Sequence, residues 1–366
     1  MSMKVLCICP IGIGNYLMTY PACRLLRESA KEAELHLLAL RESIVELAKC
    51  DPLWNAVHGI DPTRETNLLR FGAFAKKIAD ERFDASLSFF PSNNWQYNVL
   101  PFLCGIKNRH AFSYPLKKGY NLSFLNNHLL EIDPQAHDVD QNVRLVSSFT
   151  GSSLPAGQHV FPELVTEKSA EDARRFLEEI GEPRVYIGVH PGSSGEHGMA
   201  AKRWDPMRFG ELATRICKVL KAQALIFGSP EEEKIKHIAS SIMKAPSHIV
   251  SSAGLPMVAA LMRRCALLLC NDSGLMHIAA CMGVPTIAIF GPTDERRNGP
   301  VGHGHLVIRK PMDGFPLWTA ATAGVRAVKS GVDPQASLKA LSVDAAWEKV
   351  MPWLATIRKK MNNAKN

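Results

Sequence analysis

Two strand–helix alternations joined by a polar linker predict an α/β chain built as two doubly wound halves. The first alternation occupies residues 4–149 and the second 185–308, and the stretch 151–164 between them mixes glycine, serine and proline. A third observation sets the type of sheet. Residues 266–293 (ALLLCNDSGLMHIAACMGVPTIAIFGPT) read as a strand, a tight turn, a short helix, a second strand and a Gly-Pro stop. Apolar runs this short, without polar alternation, suit strands covered on both faces, as in a parallel sheet. The expectation is two Rossmann-like domains, residues 1–160 and 161–342, facing each other across a cleft, with a last helix from 343 to 366 packing back on the first.

The elements follow in order. Residues 4–9 (KVLCIC) form a strand, 10–15 (PIGIGN) a glycine turn and 16–29 a helix with apolar residues at helical spacing. The pair Gly12 and Gly14 is followed by Leu17, not by the third glycine of a dinucleotide fingerprint. Strands are read at 34–39, 56–59 and 85–89, with helices at 44–49 and 68–80 between them. The loop Phe90-Pro91-Ser92-Asn93-Asn94-Trp95 is rich in groups that bind sugar hydroxyls, and a helix runs from it to about 104. Periodicity fades over 111–133, around Lys117-Lys118-Gly119, which reads as a mobile surface segment. A helix over 139–149 has His137 and Asp138 at its start.

Beyond the linker come a helix at 169–180, strands at 185–190, 224–227 and 248–251, and helices at 206–220, 231–243 and 256–263. In the 266–293 stretch, Asp272 or Ser273 can cap the next helix and Gly274 lets the backbone approach a ligand. Free N–H groups at the carboxyl end of a buried strand make an anion site. A strand at 306–308, an irregular run over 311–330 and an amphipathic helix over 343–360 with Trp347 and Trp353 complete the chain.

Composition narrows the class. The chain is 46% hydrophobic and 21% charged, as in soluble globular proteins, and holds no run near the roughly 18 apolar residues of a spanning helix. The expected location is the cytoplasm. Nine scattered cysteines with no C-x-x-C pair argue against zinc, iron–sulfur and disulfide frameworks. Of 43 basic and 35 acidic residues, 16 and 16 lie in 1–166, which leaves 27 and 19 in 167–366. A basic second half that holds an anion-ready turn points to a phosphorylated small ligand or an acidic surface. No basic stripe with interleaved aromatics accompanies it, so nucleic acid is not expected.

Three loops of the second half fall at strand carboxyl ends: 190–204 (HPGSSGEHGMAAKRW), 228–233 (GSPEEE) and 271–274 (NDSG). Ser193 and Ser194 can donate to phosphate oxygens, Lys202 and Arg203 supply countercharge, and Glu231, Glu232 and Glu233 suit ribose hydroxyls. Each alone reads equally as a solvated surface group or an acidic first helical turn; their joint placement favours a nucleotide.

With these residues in view, the chain resembles the ADP-heptose lipopolysaccharide heptosyltransferases, glycosyltransferase family 9. The motifs are KVLCICPIGIGN-YLMTYPACRLLR, HPGSS…AKRW and NDSGLMHIAACMGVPTIAIFGPT, in the family's order. The resemblance implies a GT-B fold with the acceptor on the first domain and the nucleotide-sugar on the second. It implies inverting, metal-independent transfer of heptose from ADP-L-glycero-D-manno-heptose to a lipopolysaccharide-type or other glycan acceptor, without a cofactor and at or near the cytoplasmic membrane. It puts Ser193, Ser194 and Lys202 near the diphosphate, Glu231 or Glu232 near the ribose, and Asp272, Ser273 and Gly274 with His277 around the donor. One departure stands out. The family carries Gly-Asp in the first glycine turn, with the aspartate as general base, whereas this chain has Gly14-Asn15. Asparagine can orient a hydroxyl but cannot take its proton, which leaves His137, Asp138 or an acceptor phosphate as candidates. A binding member without catalysis and a nucleotide-sugar epimerase of the same architecture are the rival readings.

Overall fold

The computed structural model describes residues 2–10, 12–49, 51–60, 67–114, 121–155, 157–181, 185–251, 253–320 and 331–363, without the side chains of 68, 196, 197 and 360–363. The expected surface segment around Lys117-Lys118-Gly119 lies outside these residues. Two compact units emerge, Met1–Pro162 with Trp318–Arg326 and Glu163–Leu317 with Ala327–Asn366.

In the first unit, β1 (Lys4–Ile8), β2 (Glu34–Ala39), β3 (Ala56–Gly59), β4 (Ala85–Ser88), β5 (Asn108–Ser113) and β6 (His128–Glu131) form one sheet in the order β3-β2-β1-β4-β5-β6. Every pairing is parallel. Its helices are α1 (Ile13–Ser29), α2 (Glu42–Ala48), α3 (Leu68–Asp80), α4 (Gln96–Leu103) and α5 (Asp138–Thr150). The central strand shows why an uninterrupted apolar run predicts such a sheet: Val5, Leu6, Cys7 and Ile8 are all at or below 1% exposure, covered from both sides.

The second unit opens with α6 (Glu167–Glu179) and continues with β7 (Tyr186–His190), α7 (Pro206–Leu220), β8 (Gln223–Ile226), α8 (Glu233–Ile242), β9 (Ser247–Ile249) and α9 (Leu255–Arg263). Then come β10 (Cys265–Asn271), α10 (Gly274–Cys281), β11 (Thr286–Ile289), α11 (Glu295–Asn298), β12 (Leu306–Ile308), α12 (Ala336–Lys339) and α13 (Val343–Asn363). The sheet order is β12-β11-β10-β7-β8-β9, the same plan as in the first unit. The strand order reverses beside β7, between it and β10. In such sheets, ligands bind outside the carboxyl ends of the strands at that point.

The stretch expected as surface around 111–133 holds two strands, β5 and β6. β6 is the edge strand and β5 lies next to it, and with several residues half or fully exposed their sequences, NRHAFS and HLLE, lack the apolar run that marks a buried strand. Helix α1 starts at Ile13, one turn before the expected position, because Gly12 takes a φ of 110° that turns the chain directly into the helix. The buried stripe Ala346, Val350 and Leu354 of α13 joins the second unit's core, and the helix packs on α7 and β12 there. Cys7, Cys9, Cys23, Cys104, Cys217, Cys265 and Cys270 are buried free thiols.

Candidate functional site

The carboxyl edge of the second sheet gathers the three loops singled out in the sequence. β10 ends at Asn271, whose side chain is fully buried and braces the neighbouring loop. Its Oδ1 accepts the Trp204 N–H at 2.9 Å, and its Nδ2 donates to the Pro191 and Gly192 carbonyls at 2.9 and 3.0 Å. This residue therefore fixes the start and the end of the 191–204 loop against the strand.

Ser273 is the N-cap of α10, its hydroxyl accepting from the Met276 N–H at 3.4 Å, and Gly274 begins the helix. Between cap and brace lies Asp272, with its side chain 2% exposed and its Oδ2 2.8 Å from Lys202 Nζ. The Thr293 hydroxyl donates to Oδ2 at 2.7 Å, and Asn298 Nδ2 lies 3.3 Å from Oδ1. Burial alone would push this carboxyl up, but the Lys202 ammonium beside it, helped by Thr293, holds it below its ordinary value. The Lys202 side chain keeps 15% exposure, so its charge is anchored from below and open above. An ammonium, a helix amino terminus and small residues, the parts from which anion sites are built, thus lie together at the reversal point. His277 lies one turn along α10 and is buried.

A second buried network adjoins the first. His190, the last residue of β7, has Nδ1 3.0 Å from Ser273 Oγ and Nε2 3.2 Å from Glu232 Oε2. Glu232 Oε2 also accepts the Ser229 N–H at 2.9 Å, and Oε1 lies 3.6 Å from Arg203 Nη2. Burial raises the Glu232 carboxyl, yet the His190 hydrogen bond and charge and the Ser229 N–H draw it down to about 2. Gly192 makes the packing possible: a Cβ there would sit 2.1 Å from Glu232 Oε1. Glu232 is thus turned inward as an organiser of the loops, whereas Glu231 on the same turn is exposed. Glu233 pairs with the buried Lys236 at 2.6 Å.

Arg203, expected as countercharge, donates through Nε to the Ser193 carbonyl at 2.9 Å and holds that loop in shape. Ser193 is buried and Ser194 exposed. Lys202, Asp272, Ser273, Gly274 and the Ser193 loop therefore lie at one edge of the sheet. His190, Asn271, Thr293 and Asn298 are additions, and His190 and Asn271 shared a sequence signal, a polar residue ending an apolar strand.

The first unit has its own reversal point, between β1 and β4. Asn15 lies half-buried in the first turn of α1, and the Gly12 cap receives no side-chain hydrogen bond. The loop after β4 is pinned by the Ser92 N–H to Tyr114 Oη at 2.8 Å and by the Phe90 N–H to Asn142 Oδ1 at 2.7 Å. Asn93 is 5% exposed and its Nδ2 makes no hydrogen bond. His137 caps α5 by accepting the Val139 N–H at 3.2 Å, and Asp138 is wholly buried.

Residues 71–314 match the family described as Glycosyltransferase family 9 (heptosyltransferase). Lipopolysaccharide heptosyltransferase 2 of Escherichia coli K12 is 23% identical over 324 residues, covering 84% of this chain and 88% of that protein. Among solved structures, the glycosyl transferase family 9 protein of Veillonella parvula superposes with a TM-score of 0.78 at 18% identity, over 97% and 98% of the two chains. E. coli heptosyltransferase WaaC with ADP gives 0.69 at 17% identity, over 96% and 100%. These structural likenesses establish a GT-B-like fold.

Proposed function

The chain belongs to glycosyltransferase family 9, the heptosyltransferases, and from that premise we propose that it moves a heptose from ADP-L-glycero-D-manno-heptose to a lipopolysaccharide-type acceptor with inversion. The observation that carries the donor half of this reading is the Lys202–Asp272 pair, 2.8 Å apart, beside the amino terminus of α10. In the reaction, the acceptor hydroxyl oxygen bonds to the anomeric carbon while the bond from that carbon to the diphosphate oxygen breaks, ADP leaves with the electron pair, and the hydroxyl proton passes to an acceptor phosphate or to water, since the Asn15 amide cannot take it. Lys202 and the N–H groups at Ser273 and Gly274 meet the charge that develops on the leaving oxygen. Ser193 and Ser194 line the diphosphate, Glu231 on its exposed turn or the rim of Glu232 receives the ribose, and His277 backs the donor. Asn15 orients the acceptor hydroxyl.

The ADP-bound E. coli relative supports the nucleotide part of the proposal, because the two chains share their fold over nearly their full lengths. The proposal includes transfer without a metal, which the chelator arm of the test decides. The test measures nucleotide release from ADP-, UDP- and GDP-sugars, with and without a heptose-region acceptor and with a chelator. Acceptor-dependent ADP release that survives the chelator is expected. Release from another nucleotide only, or none with any acceptor, refutes the assignment.

A further inference from the structure

The hydrogen bonds that join Glu232, His190 and Ser273 can be assigned proton by proton. Glu232 is ionised at neutral pH, its carboxyl drawn down to about 2, so both of its oxygens only accept. Its Oε2 takes the Ser229 N–H at 2.9 Å and lies 3.2 Å from His190 Nε2, so Nε2 carries a proton and donates it. Across the ring, Nδ1 lies 3.0 Å from Ser273 Oγ, and that oxygen accepts the Met276 N–H at 3.4 Å as the cap of α10. His190, Glu232 and Ser273 are all buried, so the chain settles its protons among its own members.

The direction of the Ser273 hydroxyl then depends on the charge of the imidazole. In the neutral ring Nδ1 is an acceptor, and the Ser273 O–H is spent on it. In the imidazolium Nδ1 carries a proton of its own and donates to Oγ, which accepts from Nδ1 and from the Met276 N–H together. The Ser273 O–H is thereby released from the network and can donate to an oxygen held at the amino terminus of α10. A single proton on His190 thus gives this helix end one more donor.

The groups around the ring leave this step to His190. Glu232 faces it from the turn Pro230–Glu232, and Arg203 of the 191–204 loop stands behind Glu232, with Nη2 3.6 Å from Oε1. Lys236 of α8 pairs with Glu233 at 2.6 Å, and beyond Ser273 the Lys202 ammonium pairs with Asp272 at 2.8 Å. Cys270 of β10 lies opposite His190 in the strand register, with its thiol pushed up by burial, and His277 is on α10. Imidazole is the side chain that ordinarily titrates between pH 5 and 8, and of these two histidines His190 has its bond to the cap in place.

We propose that His190 is a positioning residue for the donor diphosphate: as the nucleotide binds, the imidazole takes up a proton from solvent and turns the Ser273 hydroxyl onto a diphosphate oxygen. This role rests on the reading of the edge as the ADP site given above. A bound diphosphate favours the imidazolium twice, as a nearby negative charge and as the acceptor of the released hydroxyl. Linkage is reciprocal, so what ADP does for the proton the proton does for ADP, and affinity rises as pH falls. The same arrangement serves the transfer step. Negative charge grows on the diphosphate oxygen as its bond to the sugar breaks, and a hydroxyl already aimed there meets it without rearrangement.

The experiment is calorimetric titration of the full chain with ADP in PIPES and in imidazole buffer, whose ionisation enthalpies differ, with ADP affinity followed from about pH 8 to about pH 6. The titration of ADP itself is common to all the proteins, so the comparison is between variants. The unaltered chain is expected to take up more protons per ADP than His190→Gln, and to gain roughly tenfold in affinity over that variant as pH falls through this range. Ser273→Thr, which keeps the hydroxyl, should retain the response, and Ser273→Ala should lose most of it. His277→Gln should retain it as well. Both Ser273 variants keep the His190–Glu232 pair, so they decide the matter even where His190→Gln does not fold. Equal proton uptake by the unaltered chain and folded His190→Gln, or an undiminished response in Ser273→Ala, overturns this role of His190 and leaves the donor site standing. An unaltered chain that binds no ADP at any pH refutes the donor site itself, and this role with it.

Discussion

Replacing Lys202 by alanine should do two separable things. The ammonium lies 2.8 Å from Asp272, whose side chain is 2% exposed, so its removal leaves a buried carboxylate that keeps the neutral hydrogen bonds of Thr293 and Asn298 but loses its lysine countercharge. Breaking a buried pair on one side typically costs 3–5 kcal/mol, and because Lys202 keeps 15% exposure the low end, about 3 kcal/mol, applies here. In a unit of this size, that is a fall in melting temperature of roughly 6–12 °C. The second effect is on the donor: losing a charge-assisted phosphate contact removes about 1.5–3 kcal/mol, or roughly ten- to hundredfold in affinity for ADP. The motif by itself implies only this second effect, since it presents Lys202 as a surface phosphate ligand; the ion pair adds the first. Lys202→Ala combined with Asp272→Asn tells them apart. Stability should return toward that of the unaltered chain, because no charge is orphaned, while ADP affinity stays low. Calorimetric titration with ADP and thermal melting of the three proteins provide the readout. Tight ADP binding by folded Lys202→Ala would remove the residue from the donor site, and undiminished stability would show that the pair does not form.

Three further outcomes follow. Glu232, drawn down to about 2 from an ordinary 4.5, contributes stability that is fully present above pH 4.5 and is lost as pH falls toward 2. The amount is roughly 3 kcal/mol, so in urea titrations the gap between the unaltered chain and Glu232→Gln should close between pH 5 and acid conditions, and a gap independent of pH would contradict the His190–Glu232 network. Gly192→Ala should push Glu232 aside, since the new Cβ would lie 2.1 Å from its Oε1, and ADP affinity and melting temperature should both drop; an unaffected variant would mean the 190–204 loop is not packed as described. Asn15→Asp should preserve or raise transfer, by up to about 10²–10⁴-fold where no other group serves as base, and Asn15→Ala should lower it. Because Asn15 lies within the first turn of α1 and not at its cap, neither change should move the melting temperature much, and a stability change with constant turnover per folded molecule would put Asn15 outside the site.

Much of this architecture was legible because it is locally encoded. The strand Cys265–Asn271, the cap at Ser273 and the helix start at Gly274 are each specified within a few residues, by an apolar run, a hydroxyl and a glycine. The edge strand β6 and its neighbour β5 were not legible, because half-exposed strands share their composition with loops. The site divides in the same way. Lys202 and Asp272 could each be proposed from a motif, but their pairing depends on β10 lying next to β7, which no spacing in the chain reveals. The inward turn of Glu232 was hidden for the same reason. Its partner His190 is 42 residues away, and the GSPEEE run reads equally well as an exposed acidic turn.

The buried cysteines have a use unconnected with sugar transfer. Burial pushes the thiols of Cys9, Cys23, Cys217 and Cys265 up, so in the folded chain they are both inaccessible and protonated, and alkylating reagents attack thiolates. Cys9 and Cys23 lie in the first unit, Cys217 and Cys265 in the second. Modification at each position then waits for the local opening that uncovers it. The native sequence therefore contains its own set of clocks: timed alkylation followed by peptide mass mapping gives an opening rate for each Rossmann-like half, with no substitution introduced.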